Sequence, residues 1–84
     1  MYKINVLRRV MKDIARLPTG YSRLVSKHIE DLAQDPRPHG VEKLTGEPGY
    51  KLRVGVYRVL YTVDDTAEVV TVYRVKHRRE VYRD

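Results

Sequence analysis

Positively charged side chains are concentrated on strand-like patterns in the second half of the chain. Lys51 and Arg53 are two residues apart within an apolar run, and alternate residues of a β-strand share one face. Arg58 begins the next strand-like run, across a short connection at Gly55. We therefore expect these three cations to converge on one surface, where ammonium and guanidinium groups would bind an anion such as a phosphate.

The segment from Arg74 to Arg83 adds more donors, together with groups that can transfer protons. Its basic side chains are Arg74, Lys76, Arg78, Arg79 and Arg83. His77 and Tyr82 lie among them, and imidazole and phenol groups can both donate and accept hydrogen bonds. If this segment continues a strand that pairs with the previous one, these groups join the basic surface. The alternative is a solvated charged face without a ligand, since charge alone is weakly diagnostic.

The overall composition agrees with a polyanionic partner and excludes several kinds of chemistry. Lys and Arg number 17 against 11 Asp and Glu, which gives a net charge of +6 and a pI near 9.8. This balance does not distinguish RNA, DNA and acidic protein as partners. The absence of cysteine excludes disulfides and thiolate ligands, and no spacing of His residues predicts a zinc site. We expect no metal and no cofactor.

Hydropathy periods divide the chain into the elements that would position these residues. Tyr2 to Val6 alternates with period two, as in a half-buried strand. Two amphipathic helices follow, over Leu7 to Leu17 and Tyr21 to Gln34, separated by Pro18 and Gly20. Three further strands are predicted at Lys51–Val54, Tyr57–Val63 and Val69–Val75.

This order of elements, β-α-α-β-β-β, predicts an α+β fold. Short links between the last three strands favour antiparallel pairing, so we expect a helical hairpin packed on one face of an antiparallel sheet. The other face remains available to the basic residues. The 84 residues predict a single domain over 1–84, whose limited core would gain stability from a protein partner. Since neither a signal peptide nor a membrane span is predicted, we expect a soluble, cytoplasmic protein.

A recognisable pattern is formed by Lys43–Gly46, Tyr50–Tyr61 and Val75–Tyr82. Together these segments resemble the RelE family of toxins from bacterial and archaeal toxin-antitoxin pairs, and the similarity extends over nearly the whole chain. The resemblance implies a RelE-like fold and a metal-independent, ribosome-dependent endoribonuclease that cleaves mRNA in the decoding site. It also implies a cognate RelB-like antitoxin that wraps around the toxin in a hetero-oligomer and inhibits it.

Site residues follow from matching individual positions to this pattern. Arg58 corresponds to the arginine that follows the family's Gly-x-Tyr turn and contacts the scissile phosphate. Lys51 and Arg53 correspond to the family's basic strand pair. Val56 stands where many members have Asp, a departure that affects the usual hydrogen bonding of the turn.

The C-terminal pattern supplies the remaining assignments. Arg78 and Tyr82 correspond to the family's C-terminal arginine and tyrosine, and His77 to the histidine of its His-Arg-Arg branch.

Metal-independent RNA cleavage needs a base for the 2′-hydroxyl, cations for the phosphorane and an acid for the leaving 5′-oxygen. We expect Arg58 and Arg78 to hold the phosphate. The candidates for proton transfer are His77, Tyr82 and Lys51. The sequence leaves open which of them acts as the base and which as the acid. Further contacts with RNA are expected from Lys51, Arg53, Arg74, Lys76 and Arg79.

The same resemblance leaves two other functions open. The sister ParE branch shares the fold but poisons DNA gyrase, and a non-catalytic RNA-binding module would need only the basic surface. A ParE-like protein would lack the C-terminal acid-base cluster, whereas Arg78 and Tyr82 are both present in this chain. We therefore expect the nuclease.

Overall fold

A helical hairpin covers one face of a five-stranded sheet in the computed structural model, which describes residues 1–81. In chain order the elements are β1 (Lys3–Val6), α1 (Arg8–Ala15), α2 (Thr19–Asp31), β2 (Glu42–Lys43), β3 (Tyr50–Val54), β4 (Tyr57–Asp64), β5 (Val69–His77) and α3 (Arg78–Val81). The predicted α+β fold with a helical hairpin on one sheet face is confirmed. No helix within the described residues has the length and apolar character that a membrane span requires.

The strands are ordered β1-β5-β4-β3-β2 in the sheet. Strands β3, β4 and β5 form the predicted antiparallel meander, and the short strand β2 extends it at one edge. At the other edge β1 pairs parallel to β5, so the expectation of an antiparallel sheet throughout was wrong. Short links predict antiparallel pairing only for strands that are consecutive in the chain. Both helices of the hairpin and three strands separate β1 from β5.

The main core lies between the helical hairpin and the sheet. Its buried side chains are Val10, Val25, Ile29, Leu32, Leu52, Val54, Val59, Tyr61, Val70, Val72 and Val75. A smaller cluster of Leu44, Leu60 and Val81, with Tyr73 packed against it, lies on the opposite face of the sheet. The face that the sequence analysis left available is therefore partly covered by α3.

A β-bulge in β5 changes which side chains face the helices. Leu60 of β4 is opposite Arg74 and the next residue, Tyr61, is opposite Val72, so Tyr73 is the additional residue in β5. Before the bulge Val70 and Val72 point into the main core; after it Val75 does. One inserted residue exchanges the two faces for the remainder of the strand.

Asp13 of α1 is hydrogen-bonded to the residues that follow the bulge. Its carboxylate accepts hydrogen bonds from Arg74 Nε at 3.0 Å and from the backbone N–H of Val75 at 2.9 Å. The side chain of Asp13 is only 12% exposed. Because a carboxylate shielded from water needs its donors, this contact joins the helical layer firmly to β5.

A second polar cluster anchors the loop between α2 and β2. Arg37 donates two hydrogen bonds to Asp65, at 3.1 and 2.8 Å, and a third to the Tyr50 hydroxyl at 2.9 Å. The Tyr2 hydroxyl also donates to Asp65. The guanidinium of Arg37, followed by the hydroxyl of Tyr2, holds the pKa of the Asp65 carboxyl below its usual value. The loop is thereby joined to both β3 and the β4–β5 turn.

Replacing Asp13 by Ala should destabilise the fold by about 1–3 kcal/mol, because Arg74 and the Val75 amide would lose their shared acceptor. Asp31→Ala is the matched control, since Asp31 forms an exposed ion pair with Lys27 on α2. That change should alter the free energy of unfolding by no more than about 0.5 kcal/mol. Urea denaturation of both variants measures the difference; equal effects would contradict the structural role of Asp13.

The pair of Arg37 and Asp65 should make stability depend on pH. Because the carboxyl pKa is lower in the folded than in the unfolded chain, the stabilisation is present above the unfolded value, about 3.9, and is lost as the pH falls through the folded one. Asp65→Asn should therefore be less stable than the wild type at neutral pH, and the difference should shrink in acid. Urea midpoints across this range measure it. A difference that stays constant into acid would contradict the coupling.

Candidate functional site

A cavity of about 220 Å³ lies on the sheet face opposite the helical hairpin. We call it the basic cavity. Its lining residues are Gly40, Glu42, Lys51, Arg53, Arg58, Arg78 and Val81. Four of these side chains are cations, and all four were predicted from the sequence to converge. Within residues 1–81 no group of three or more His, Asp or Glu side chains is arranged to hold a metal ion.

Strand register explains how the cations meet. Leu52 and Val54 of β3 point into the main core, so the alternating Lys51 and Arg53 point to the opposite face. Arg53 is directly opposite Arg58 of β4. Like charges in this position repel each other and destabilise a sheet. An anion bound between them would relieve that repulsion.

The β3–β4 turn fixes Arg58 and the start of α3. The Arg58 guanidinium donates hydrogen bonds to the carbonyl oxygens of Gly55 and Tyr57, both at 3.0 Å. The backbone N–H of Arg78 donates to the carbonyl oxygen of Val56 at 2.8 Å. The turn therefore positions Arg78 through the backbone of residue 56, a contact that does not need the aspartate found there in many RelE members.

Gly55 allows this turn to form. Its φ of +60° at the first position of a two-residue hairpin is the conformation that a type II′ turn requires. A Cβ at Gly55 would lie 2.7 Å from the ring of Tyr21, which also packs edge-on against Tyr57 with centroids 4.9 Å apart. Both the backbone conformation and the available space therefore favour glycine.

Glu42 is a cavity residue that the sequence analysis missed. It lies on β2 directly opposite Lys51, and its Oε1 is 3.6 Å from Lys51 Nζ. A strand of two residues is too short to produce an alternating pattern, so periodicity could not place it. The available signal was its position immediately before the recognised segment Lys43–Gly46.

His77 does not join the basic cavity. It is paired with Tyr57, and the two rings are edge-on with centroids 5.7 Å apart. It lines a separate cavity beside α1, and its Nδ1 accepts a hydrogen bond from the Arg79 backbone N–H at 3.2 Å. The bulge at Tyr73 explains this placement, because without it His77 would point to the same face as the basic cavity.

The other predicted RNA contacts also separate into groups. Arg74 forms its ion pair with Asp13 of α1 and does not line the basic cavity. Lys76 is directly opposite Arg58 and so shares its face, while Arg79 is exposed on α3. Tyr82 lies outside the described residues.

Known proteins similar to this chain come from toxin-antitoxin systems. A family model described as ParE toxin of type II toxin-antitoxin system, parDE, matches residues 4–82. Toxin RelG of Mycobacterium tuberculosis (strain ATCC 25618 / H37Rv) is 30% identical over 89 residues, covering 98% of this chain and 97% of that protein.

Solved structures of toxin-antitoxin complexes share the fold. A chain of the RelBE2 complex from Mycobacterium tuberculosis has a TM-score of 0.80 and 29% identity, covering 92% of this chain and 98% of that one. A chain of the intact RelBE complex from E. coli has a TM-score of 0.77 and 28% identity, covering 92% and 96%. The family model carries the ParE name, whereas these relatives carry the RelE-type names.

Substituting Gly55 should test how strictly the turn is required. Gly55→Ala should destabilise the fold by at least about 1 kcal/mol, because a positive φ disfavours any residue with a Cβ and the methyl group meets Tyr21. Gly20→Ala is the control: Gly20 lies in α2, and a methyl group added there would have no neighbouring atom within 4 Å. Its stability should stay the same or rise by up to about 1 kcal/mol. Denaturation midpoints that fall equally in both variants would contradict the requirement.

Proposed function

Because this chain belongs to the RelE/ParE superfamily of toxins from type II toxin-antitoxin systems, we propose that it is a metal-independent, ribosome-dependent endoribonuclease that cleaves mRNA. The observation that carries the proposal is the basic cavity, in which two paired strands and the start of α3 bring four cations together. An RNA phosphodiester is an anion suited to such a site, since guanidinium groups bind its oxygens in pairs.

The energetics of the cavity favour a polyanion as the ligand. Arg53 and Arg58 repel each other across the strands, and among the described residues only one carboxylate, that of Glu42, lines the cavity with them. A purely structural surface would gain stability by replacing one of the opposed arginines with a neutral or acidic residue. Retaining both is explained if a bound phosphate, negatively charged in the ground state and more so in the phosphorane, offsets the repulsion.

We assign the catalytic roles from this geometry. Arg58 and Arg78 hold the phosphate undergoing cleavage, and Lys51 takes part in proton transfer. The charges of Arg53, Lys76 and Arg79 extend the binding surface along the message; Tyr82 keeps its predicted role in proton transfer. His77 and Arg74, which face the helical layer, are assigned structural roles instead.

The toxin partner is proposed to be a cognate RelB-like antitoxin in a hetero-oligomer. The relatives from Mycobacterium tuberculosis and E. coli were solved as toxin-antitoxin complexes. A small fold buries a limited share of its surface, so a partner that binds only the folded state would stabilise it. An acidic antitoxin segment across the basic cavity would compete directly with RNA.

The alternative function is inhibition of DNA gyrase, favoured by the ParE name of the matching family model. The two functions make different demands on the basic cavity. Phosphoryl transfer needs cations in contact with one phosphate, the role that we assign to Arg58 and Arg78 in the basic cavity, whereas binding to gyrase needs only a complementary protein surface.

Arg58→Ala should lower the single-turnover rate of cleavage of ribosome-bound mRNA by about 10²- to 10³-fold, because a positioned donor to the developing charge is lost. Arg23→Ala is the matched control, since Arg23 is exposed on α2 and does not line the basic cavity. That variant and His77→Gln should both cleave at nearly the wild-type rate. The toxins are released from their antitoxin and added to ribosomes programmed with end-labelled mRNA.

The same preparations should be assayed for inhibition of gyrase supercoiling. If the wild-type protein leaves ribosome-bound mRNA intact and blocks gyrase, the alternative function is correct. If Arg58→Ala cleaves mRNA as fast as the wild type does, the assignment of the basic cavity as the active site is wrong.

A further inference from the structure

The chain passes from β5 directly into α3, and the backbone amides at this junction are bonded to nearby side chains and to the β3–β4 turn. The first N–H groups of a helix have no acceptor within the helical backbone, so other groups must supply one. We propose that Glu80 is a positioning residue, whose carboxylate caps the start of α3 and thereby holds Arg78 in the basic cavity. The inference rests on the proposed ribonuclease function, in which Arg78 binds the phosphate undergoing cleavage.

Two hydrogen bonds form a reciprocal cap around the junction. Glu80 Oε1 accepts from the backbone N–H of His77 at 3.1 Å. In return, His77 Nδ1 accepts from the backbone N–H of Arg79 at 3.2 Å. In a capping box, the residue before a helix and the third residue within it exchange hydrogen bonds in this way. His77 and Glu80 therefore determine where α3 begins, and Arg78 is its first residue.

The cap also determines the direction in which the chain continues from Arg78. The Arg78 backbone N–H donates to the carbonyl oxygen of Val56 at 2.8 Å, but this one bond does not fix the orientation of the turn that follows. The cap fixes it at the start of α3, and one turn later Val81 is buried against Leu44 and Leu60. Arg78 and Val81, three residues apart, share the helix face that lines the basic cavity.

Glu80 lies on the other side of α3. Together with His77 it lines the separate cavity beside α1, and it is not among the residues that line the basic cavity. Its carboxylate contacts the backbone at the junction rather than the cations of the site. We therefore expect Glu80 to affect the reaction through the backbone that it holds.

Neither burial nor an ion pair explains a glutamate at this position. Glu80 is exposed, and the ion pairs between residues of the described range 1–81 do not include it. A carboxylate next to Arg78 and Arg79 lowers the positive charge that attracts RNA. Capping does explain it, because glutamate and glutamine are the residues whose side chains reach back to the amide before a helix.

The test compares the single-turnover rates at which Glu80 variants cleave ribosome-bound mRNA. Glu80→Ala removes the acceptor and should cleave about 10- to 10²-fold more slowly, because a small displacement of a phosphate-binding group weakens its contacts in the transition state. Glu80→Gln keeps an oxygen that can accept from the His77 amide, so its rate should stay near that of the wild type. If the negative charge of Glu80 were what mattered, both variants would be slowed equally.

A double-mutant cycle determines whether Glu80 acts through Arg78. Arg78→Ala should lower the cleavage rate by about 10²- to 10³-fold, as expected for the loss of a donor to the developing charge. Adding Glu80→Ala to Arg78→Ala should cause no further loss, since the cap then has no guanidinium to position. A general weakening of the fold would instead slow the double variant further.

Glu30→Ala is the matched control, since Glu30 is exposed on α2 and its loss changes the net charge by the same amount. It should cleave at the wild-type rate, and urea denaturation should show that every variant is folded under the assay conditions. Hydrogen exchange followed by NMR supplies a second measurement, in which the His77 amide should lose protection in Glu80→Ala and keep it in Glu80→Gln. His77→Gln keeps a side-chain acceptor for the Arg79 amide, so its nearly wild-type rate agrees with the cap.

Cleavage by Glu80→Ala at the wild-type rate, or unchanged protection of the His77 amide in that variant, would overturn the inference. Equal slowing of Glu80→Ala and Glu80→Gln, or a further loss in the double variant, would also overturn it, because the effect would then not pass through the cap to Arg78. In each of these cases the wild-type protein still cleaves mRNA. If the wild type itself left ribosome-bound mRNA intact, the proposed function would fail together with this inference, so the two failures are distinguishable.

Discussion

Arg53 and Arg58 face each other directly on paired strands, and the fold has to hold this repulsion in place. The opposite face of the same two strands supplies the stabilisation, because Leu52, Val54 and Val59 are buried in the main core. Burial of each such side chain contributes about 1.5–3 kcal/mol, while a like-charged cross-strand pair costs about 0.2–1 kcal/mol. Side chains of β3 and β4 point alternately to the two faces of the sheet. One face can therefore pack into the core while the other concentrates positive charge.

The same alternation determines how much of the site can be predicted from sequence. The convergence of Lys51, Arg53 and Arg58 follows from period two and a short hairpin, and both are local features. Arg78 follows because the chain continues directly from β5 into α3. The positions of these four side chains can be predicted because each depends on a few neighbouring residues whose geometry any regular strand reproduces.

The failures come from features that regular patterns do not contain. The bulge at Tyr73 reverses the faces of the last residues of β5, so His77 turns towards α1 and Lys76 towards the sheet face that carries the basic cavity. Nothing in an apolar run of Val and Tyr reveals that one residue is inserted. Glu42 was missed because β2 has two residues, and the parallel pairing of β1 with β5 depends on packing between distant segments.

The bulge also links the helical layer to the face that carries the basic cavity. Asp13 binds Arg74 and the amide of Val75, the two residues directly after Tyr73, and thereby stabilises the shifted register from the opposite side of the sheet. Without that register Lys76 would point to the helical side of the sheet and not to the face of the basic cavity. The largely shielded carboxylate on α1 therefore helps to determine which cations lie on the face of the basic cavity. The polar residues that join the helical layer to β5 therefore help to position side chains of the site from the opposite face of the sheet.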